Sequence, residues 1–298
     1  MKKTGKGNIT ATIIKDSISE FGDRITTFEL EYPRFIHGEL MTHRMFSRNA
    51  MSSRAVPVSK MIEQVRTNPA MPIHWGKNQA GMQAKEEHSN IGACQESWGV
   101  AAESVADVAE VWSEEGLHKQ VVNRILEPFQ MMKTIVTATE YGNFFNLRCH
   151  ADAQPEIHEL ADLMLDCMNE SEPVILKAGE WHTPYVDNFR ASDGDAILEY
   201  HVNNIGVNLE EALKVSASCC AQVSYRLLDN SVEKAIMIYD KLIESKPIHA
   251  SPFEHQAKVM QRPTRGSFDW DAGTTHEDRL GYRWSGNFKG WIQYRQLL

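Results

Sequence analysis

The sequence predicts an α/β (α+β) fold, and two kinds of periodicity carry that reading. Residues 8–32 alternate with period two, Ile9, Ala11 and Ile13 and then Phe28, Leu30 and Tyr32, as the strands of a β-hairpin do. Residues 156–168 instead place Ile157, Leu160, Ala161, Met164, Cys167 and Met168 at helical spacing.

The other elements follow in order. Gly22-Asp23 lies in the hairpin connection, and Pro33 stops the second strand. Gly38 to Met45 reads as helical and carries His43 and Arg44. Residues 66–99 hold Pro69, Pro72, Gly76 and Gly81 and read as a long irregular excursion. A helix is expected over 100–115, with Ala101, Val105, Val108, Ala109 and Trp112 on one face and Gly116 as its stop. A second runs through Val121, Val122, Ile125 and Leu126 and ends before Pro128. Residues 171–208 read as a connection with little regular structure. Residues 231–244 read as a helix with Val232, Ala235, Ile236, Tyr239, Leu242 and Ile243 inward and Asn230 and Glu233 as a capping pair. Residues 262–290 are a second loop-rich excursion.

Composition narrows the classes. In 298 residues, 42% hydrophobic and 24% charged exclude disorder as the main state. Five cysteines are too few, and odd in number, for a disulfide framework. No apolar run approaches the roughly 20 residues of a membrane span, and the N-terminus lacks the apolar core of a signal peptide. The expected compartment is the reducing cytoplasm. A net charge of −9 gives no global field for nucleic acid, so an anionic ligand needs a local arginine cluster.

Three clusters stand out. Residues 42–54 pack Arg44, Arg48, Arg54, His43, three serines and Asn49 into thirteen positions. Such donors suit a small anion, and equally a polar loop held by internal salt bridges. In the second, Arg148 ends the strand-like or loop segment from Asn143, and Pro155 opens the following helix. In the third, His249 to His255, Ser251 before Pro252 with Glu254 three later has the form of a capping box. Cys149 reads as a packed small side chain rather than a nucleophile. His74, His88, His118 and His182 lack a metal-ligand spacing, so no metal is expected.

Together these segments resemble the flavin-dependent thymidylate synthases. That family's R-H-R, seven residues, then S signature is matched by Thr42-His43-Arg44, seven residues and Ser52. Asn143 to Arg148, then Ala153-Gln154-Pro155-Glu156-Ile157, resembles a second family segment. His249 to His255 resembles a third, H-x-[ST]-P-F-E-H, and Arg124 to Pro128 a fourth. The third element precedes the signature in the family and follows it here. The resemblance therefore implies one circularly permuted domain over 1–298. Its signature-bearing part is 1–170, its connection 171–208 and its permuted segment 209–298, where Ala221 to Tyr225 matches the family's N-terminal stretch. Residues 66–99 and 262–290 match nothing in the motifs.

The resemblance implies methylation of dUMP to dTMP, with methylenetetrahydrofolate as carbon donor and NADPH as reductant. Arg148 would activate the pyrimidine. Glu39, Ser52, Arg54 and Arg124 would complete the dUMP site. His43, Arg44, Ser47, Asn49, Asn143, Ser251, Glu254 and His249 would hold FAD. The family's homotetramer shares its sites between subunits. Three departures stand at Thr42, Ala50 and Glu39, where the family has Arg, Glu and Gln, and the flavin-contacting N-A-R segment has no counterpart in Thr137 to Glu140. Gln293 and Arg295 lie in a partial second copy of the signature, and Arg295 is the candidate to replace the missing arginine. Two other readings remain open: the same fold with altered pyrimidine chemistry, hydroxymethylation or a dCMP substrate, and a non-catalytic nucleotide- or RNA-binding protein.

Overall fold

A computed structural model describes all residues except 191–196, 225–227 and 262–268. Tyr225 and parts of the expected connection 171–208 and the second excursion 262–290 lie outside the described residues.

The chain opens with β1 (Lys2–Thr4), β2 (Thr10–Ser19) and β3 (Arg24–Pro33), the last two forming the expected hairpin. Next come α1 (His37–Met41), β4 (Ser47–Ala50) and α2 (Val58–Thr67). The helix expected from Gly38 to Met45 stops at Met41, so His43 and Arg44 sit in the turn leading to β4. Long helix α3 (Ile91–Glu114) starts nine residues before the expected boundary, where Asn90 Oδ1 caps the Ala93 amide. Its buried residues are Ala102, Ala106 and Ala109, while Val108 on the expected face is exposed. Small residues mark the contact because α2 and α4 (Lys119–Ile125) pack close against it.

Strand β5 (Met131–Ala138) pairs antiparallel with both β3 and β4. The segment from Asn143 is helical, α5 (Gly142–Arg148), rather than strand or loop. Phe144 and Arg148 stand four apart on one helix face, and burial of Phe144 fixes that face inward. Helix α6 (Pro155–Glu170) begins at Pro155, with Gln154 Oε1 accepting from the amides of Glu156 and Ile157. Parallel β6 (Val174–Leu176) completes a six-stranded sheet of path β1-β2-β3-β5-β4, with β6 beside β2.

The supposed connection 171–208 is instead rich in short strands: β7 (Trp181–His182), β8 (Asp187–Phe189), β9 (Glu199–Val202) and β10 (Ile205–Val207). Helices α7 (Leu209–Ala221) and α8 (Val232–Glu244) follow. On α8 only Ala235 is buried and Ile236 is exposed. Ser231 is its N-cap residue, and Asn230 bonds Asn203 instead of capping. Ser251–Glu254 is a single 3₁₀ turn without a side-chain cap, so the capping box does not form there. Strand β11 (Ala257–Val259), the small strands β12 (His276–Glu277), β13 (Arg283–Ser285) and β14 (Phe288–Lys289), and β15 (Trp291–Gln293) complete the fold. β11 lies between β15 and β7.

Period-two alternation makes three layers of this. Phe28, Leu30, Tyr32, Met132 and Val136 face one core with Ile157, Leu160 and Met164 of α6. Odd positions of β3 and β5 face the C-terminal half. Ile25 packs with Trp181, Phe288 and Trp291, and Ile135 with Cys220 and Val223. A bulge between Ile13 and Lys15 of β2 exchanges that strand's faces. Ile9 and Ala11 therefore meet α6, while Ser17 meets the other layer. There a buried polar chain crosses the layers: Ser17 Oγ to His182 Nδ1 at 2.9 Å, His182 Nε2 to Thr27 Oγ1 at 2.9 Å, Thr27 to Thr137 at 2.8 Å, and Thr137 Oγ1 to His255 Nδ1 at 2.8 Å. Burial pushes the His255 ring down to about 3 and His182 well below its ordinary value, so both are neutral. Gly290, at φ +74°, abuts the Asp23 carboxylate, which a Cβ would meet at 2.5 Å.

Candidate active site

Arg148 ends α5 with its side chain 21% exposed, and three groups of the α1 turn converge on it. Its Nε donates to His43 Nε2 at 3.0 Å, Nη1 to Glu39 at 3.4 Å and Nη2 to Thr42 Oγ1 at 3.4 Å. Glu39 and Thr42 are two of the three departures from the family pattern, so both fall on one guanidinium. His43 is buried, with its ring edge-on to Phe144 and beside Phe46. Arg48 Nη1 holds the turn by donating to the carbonyls of Met41 and His43 at 2.8 and 3.3 Å. That anchoring role of Arg48 is hidden in the sequence, where it looks like a third ligand arginine.

Arg148 and Glu39 open onto a groove of about 1590 Å³. Its other walls include Phe35, Pro128 and His158 together with Pro72 to His74, Gly76 and Met82 to Lys85 of the excursion. The excursion packs against the rest of the chain. Trp98 packs edge-on against Trp75 and Phe129, and its Nε1 donates to Ala70 O at 2.9 Å. This groove wall was invisible to motif reading because backbone path, not residue type, builds it.

The other expected nucleotide residues make their contacts elsewhere. The Ser52 amide donates to Ser224 Oγ at 2.9 Å, and Arg54 is exposed. Arg124 pairs with Glu127 at 2.9 Å, beside groove residue Pro128. No hydrogen bond or ion pair among the described residues joins Ser52, Arg54 or Arg124 to Arg148.

The expected flavin residues divide in two. Arg44, Asn143, Ser251 and His249 are exposed. Ser47, Asn49 and Glu254 are engaged on a seam between β4 and the 3₁₀ turn, which Ser251 joins through Asn49. Buried Ser47 accepts from Gln293 Nε2 at 3.0 Å, and Gln293 also donates to Asn287 Oδ1 and Glu254 O. Asn49 Nδ2 donates to Cys220 O at 2.5 Å and its Oδ1 accepts from Ser251 Oγ at 3.2 Å. Arg295 pairs with Glu254. Gln293 and Arg295 thus serve the seam, and no contact places Arg295 at Thr42. His43 likewise faces Arg148 and aromatic rings.

Burial and Asp162 raise the Cys149 thiol to about 12, which leaves no thiolate for nucleophilic attack at neutral pH. Among the described residues no three or more His, Cys, Asp or Glu side chains converge to hold a metal ion, and no helix is long and apolar enough to cross a membrane.

The sequence profile of the thymidylate synthase complementing proteins matches residues 12–174. The match includes the α1 turn, Arg124, Arg148 and the excursion at 66–99 that the motifs could not place. No curated protein sequence matches the chain. Among solved structures, a UMP/dUMP methylase, PolB, from Streptomyces cacaoi, bound with 5-Br UMP, is 15% identical. The match covers 58% of this chain and 91% of that one, with a TM-score of 0.45.

Proposed function

Because the chain belongs to the family of thymidylate synthase complementing proteins, the flavin-dependent thymidylate synthases, we propose that it reductively methylates dUMP to dTMP. Methylenetetrahydrofolate donates the carbon and NADPH the electrons. The observation that carries this reading is the anchored, groove-facing Arg148 guanidinium. A pyrimidine ring is a weak carbon nucleophile, and carbon five becomes a stronger one as the carbonyl edge takes on negative, enolate-like charge. A fixed guanidinium beside that edge stabilises this charge without reorganising. His43, Glu39 and Thr42 orient it, and its remaining N–H groups are left for the ring. Ser52, Arg54 and Arg124 have the hydroxyl and fork donors that suit phosphate and sugar.

The exposed donors Arg44, Asn143 and His249 fit a flavin's diphosphate and hydroxyls in chemistry, and Ser251 would have to release Asn49 to join them. The seam residues Ser47, Asn49 and Glu254 already have partners within the chain, so they shape the site's wall. FAD, when bound, supplies the redox chemistry. Ser52 and Arg54 make no direct bond to Arg148, which is compatible with a site completed by a second copy, in the cytoplasmic homotetramer that the family implies. The seam supports the permuted, single-domain reading. It brings Ser251–Glu254 against β4, about 200 residues earlier in the chain.

Glu39 favours a second reading, altered pyrimidine chemistry on the same fold. Its carboxylate only accepts hydrogen bonds, which suits the exocyclic amine of a cytosine nucleotide. An absorbance spectrum of the purified protein, taken before and after anaerobic NADPH and then dUMP, tests the proposal. A flavin band that bleaches with NADPH, followed by dTMP formation, supports it. A colourless protein that takes up no added FAD overturns it. Product analysis with dUMP and dCMP separates the two pyrimidine readings.

A further inference from the structure

We infer that His43 is a positioning residue for Arg148, accepting the Nε–H of its guanidinium and so fixing the plane in which the arginine meets a pyrimidine nucleotide. The inference rests on the reading of Arg148 as the nucleotide-facing group and departs from the flavin-contact role expected for His43.

Three observations support it. The 3.0 Å Nε–Nε2 contact is the shortest of the three that hold Arg148, and those to Glu39 and Thr42 are both 3.4 Å. An Nε–H lies in the guanidinium plane, so a bond there sets the orientation of the outer N–H groups. His43 itself cannot swing away. It is buried against Phe144 and Phe46, and Arg48 bonds its carbonyl. Phe144 and Arg148 share a face of α5, so one helix supplies both the rest for the ring and the group the ring holds.

The acceptor role demands an unprotonated Nε2, which puts the ring proton on Nδ1. The charged groups facing His43 are Arg148 from α5 and Arg48 from β4. Glu39 lies beyond Arg148 and pairs with it. Burial first, then the two arginines, hold the ring below the ordinary histidine value. Protonation at lower pH removes the acceptor and sets a second cation against Arg148. Arginine orientation, and nucleotide affinity with it, then fails on the acid side.

Two linked measurements test this. First, the ring of His43 is titrated by NMR in ligand-free, 13C-histidine-labelled protein, with His43→Gln assigning the signal. The expected result is a depressed pKa that rises in Arg148→Gln. A pKa unmoved by Arg148→Gln overturns the contact. Second, dUMP binding is followed by calorimetry across pH 5 to 8, with melting curves as the check on folding. His43→Gln, which keeps an acceptor, should bind within about threefold of the wild type and lose the acid-side decline. His43→Phe, which fills the space without an acceptor, should bind about tenfold more weakly at neutral pH, the loss of one charge-assisted bond. Equal affinity and an unchanged pH profile in His43→Phe would overturn the inference. If the wild type binds no dUMP at any pH, the proposed function fails, and the ligand-free titration still decides for or against the His43–Arg148 contact.

Discussion

The Arg148 corner and the β4 seam are built from the same residue types, and the structure uses them in opposite ways. At the corner, Glu39, Thr42 and His43 converge on one cation beside an open groove. At the seam, Gln293 bonds Ser47 and the Glu254 carbonyl, and Asn49 bonds Ser251 and the Cys220 carbonyl, across about 200 residues of chain. A buried polar group must be paired within the protein, so a seam residue is committed to stability. A partly exposed arginine with spare N–H groups remains available to a ligand. Motif membership alone does not separate these two fates.

That contrast can be broken by mutation. Phe253 is fully buried under the seam, edge-on to Tyr239 and Tyr294. Phe253→Ala should cost about 4 kcal/mol of unfolding free energy, read by denaturant titration. Arg148→Ala should do the reverse, lowering dUMP affinity about 100-fold through lost charge-assisted bonds while barely moving the denaturation midpoint. A large stability loss in Arg148→Ala would make the corner structural after all.

Gln293→Leu should destabilise by about 2 kcal/mol, because Ser47 and Asn287 lose a buried donor. Its nucleotide affinity should stay near that of the wild type, which calorimetry can check. The polar chain behind the seam gives a pH signature. His255 titrates at about 3 in the fold against 6.5 when free. Between those values the unfolded chain takes up a proton that the folded chain refuses. Stability is therefore full above pH 6.5 and falls toward pH 3, at about 1.4 kcal/mol per pH unit from this group. His255→Gln should flatten that slope in urea melts run from pH 7 to 4. Smallest on stability is Arg54→Ala, which should leave the midpoint unchanged and weaken only nucleotide binding.

Elements with strong local periodicity were legible in the sequence. The hairpin, α6 and the Pro155 start follow from alternation, helical spacing and capping chemistry, each of which acts within a few residues. The helix α5 was not legible, because its aromatic run also suits a strand. Burial of Phe144 against His43 and Phe46 decides the matter. The short strands of 171–208 were missed for a related reason. Each is two to four residues long, too short to show a period; among the described residues β8, β9 and β10 pair only with one another, and β7 is defined by β11, about 75 residues later.

The sequence by itself determined the family, the two arginine-bearing segments and the residue types present at the site. Those are properties of local order, and they survive in a string of letters. The tertiary structure alone decided that Arg48 anchors a turn, that His43 holds Arg148, that Gln293 and Arg295 close a seam and that the 66–99 excursion walls a groove. These roles depend on which distant groups come within about 3 Å and on which of them water still reaches. No spacing along the chain encodes either one.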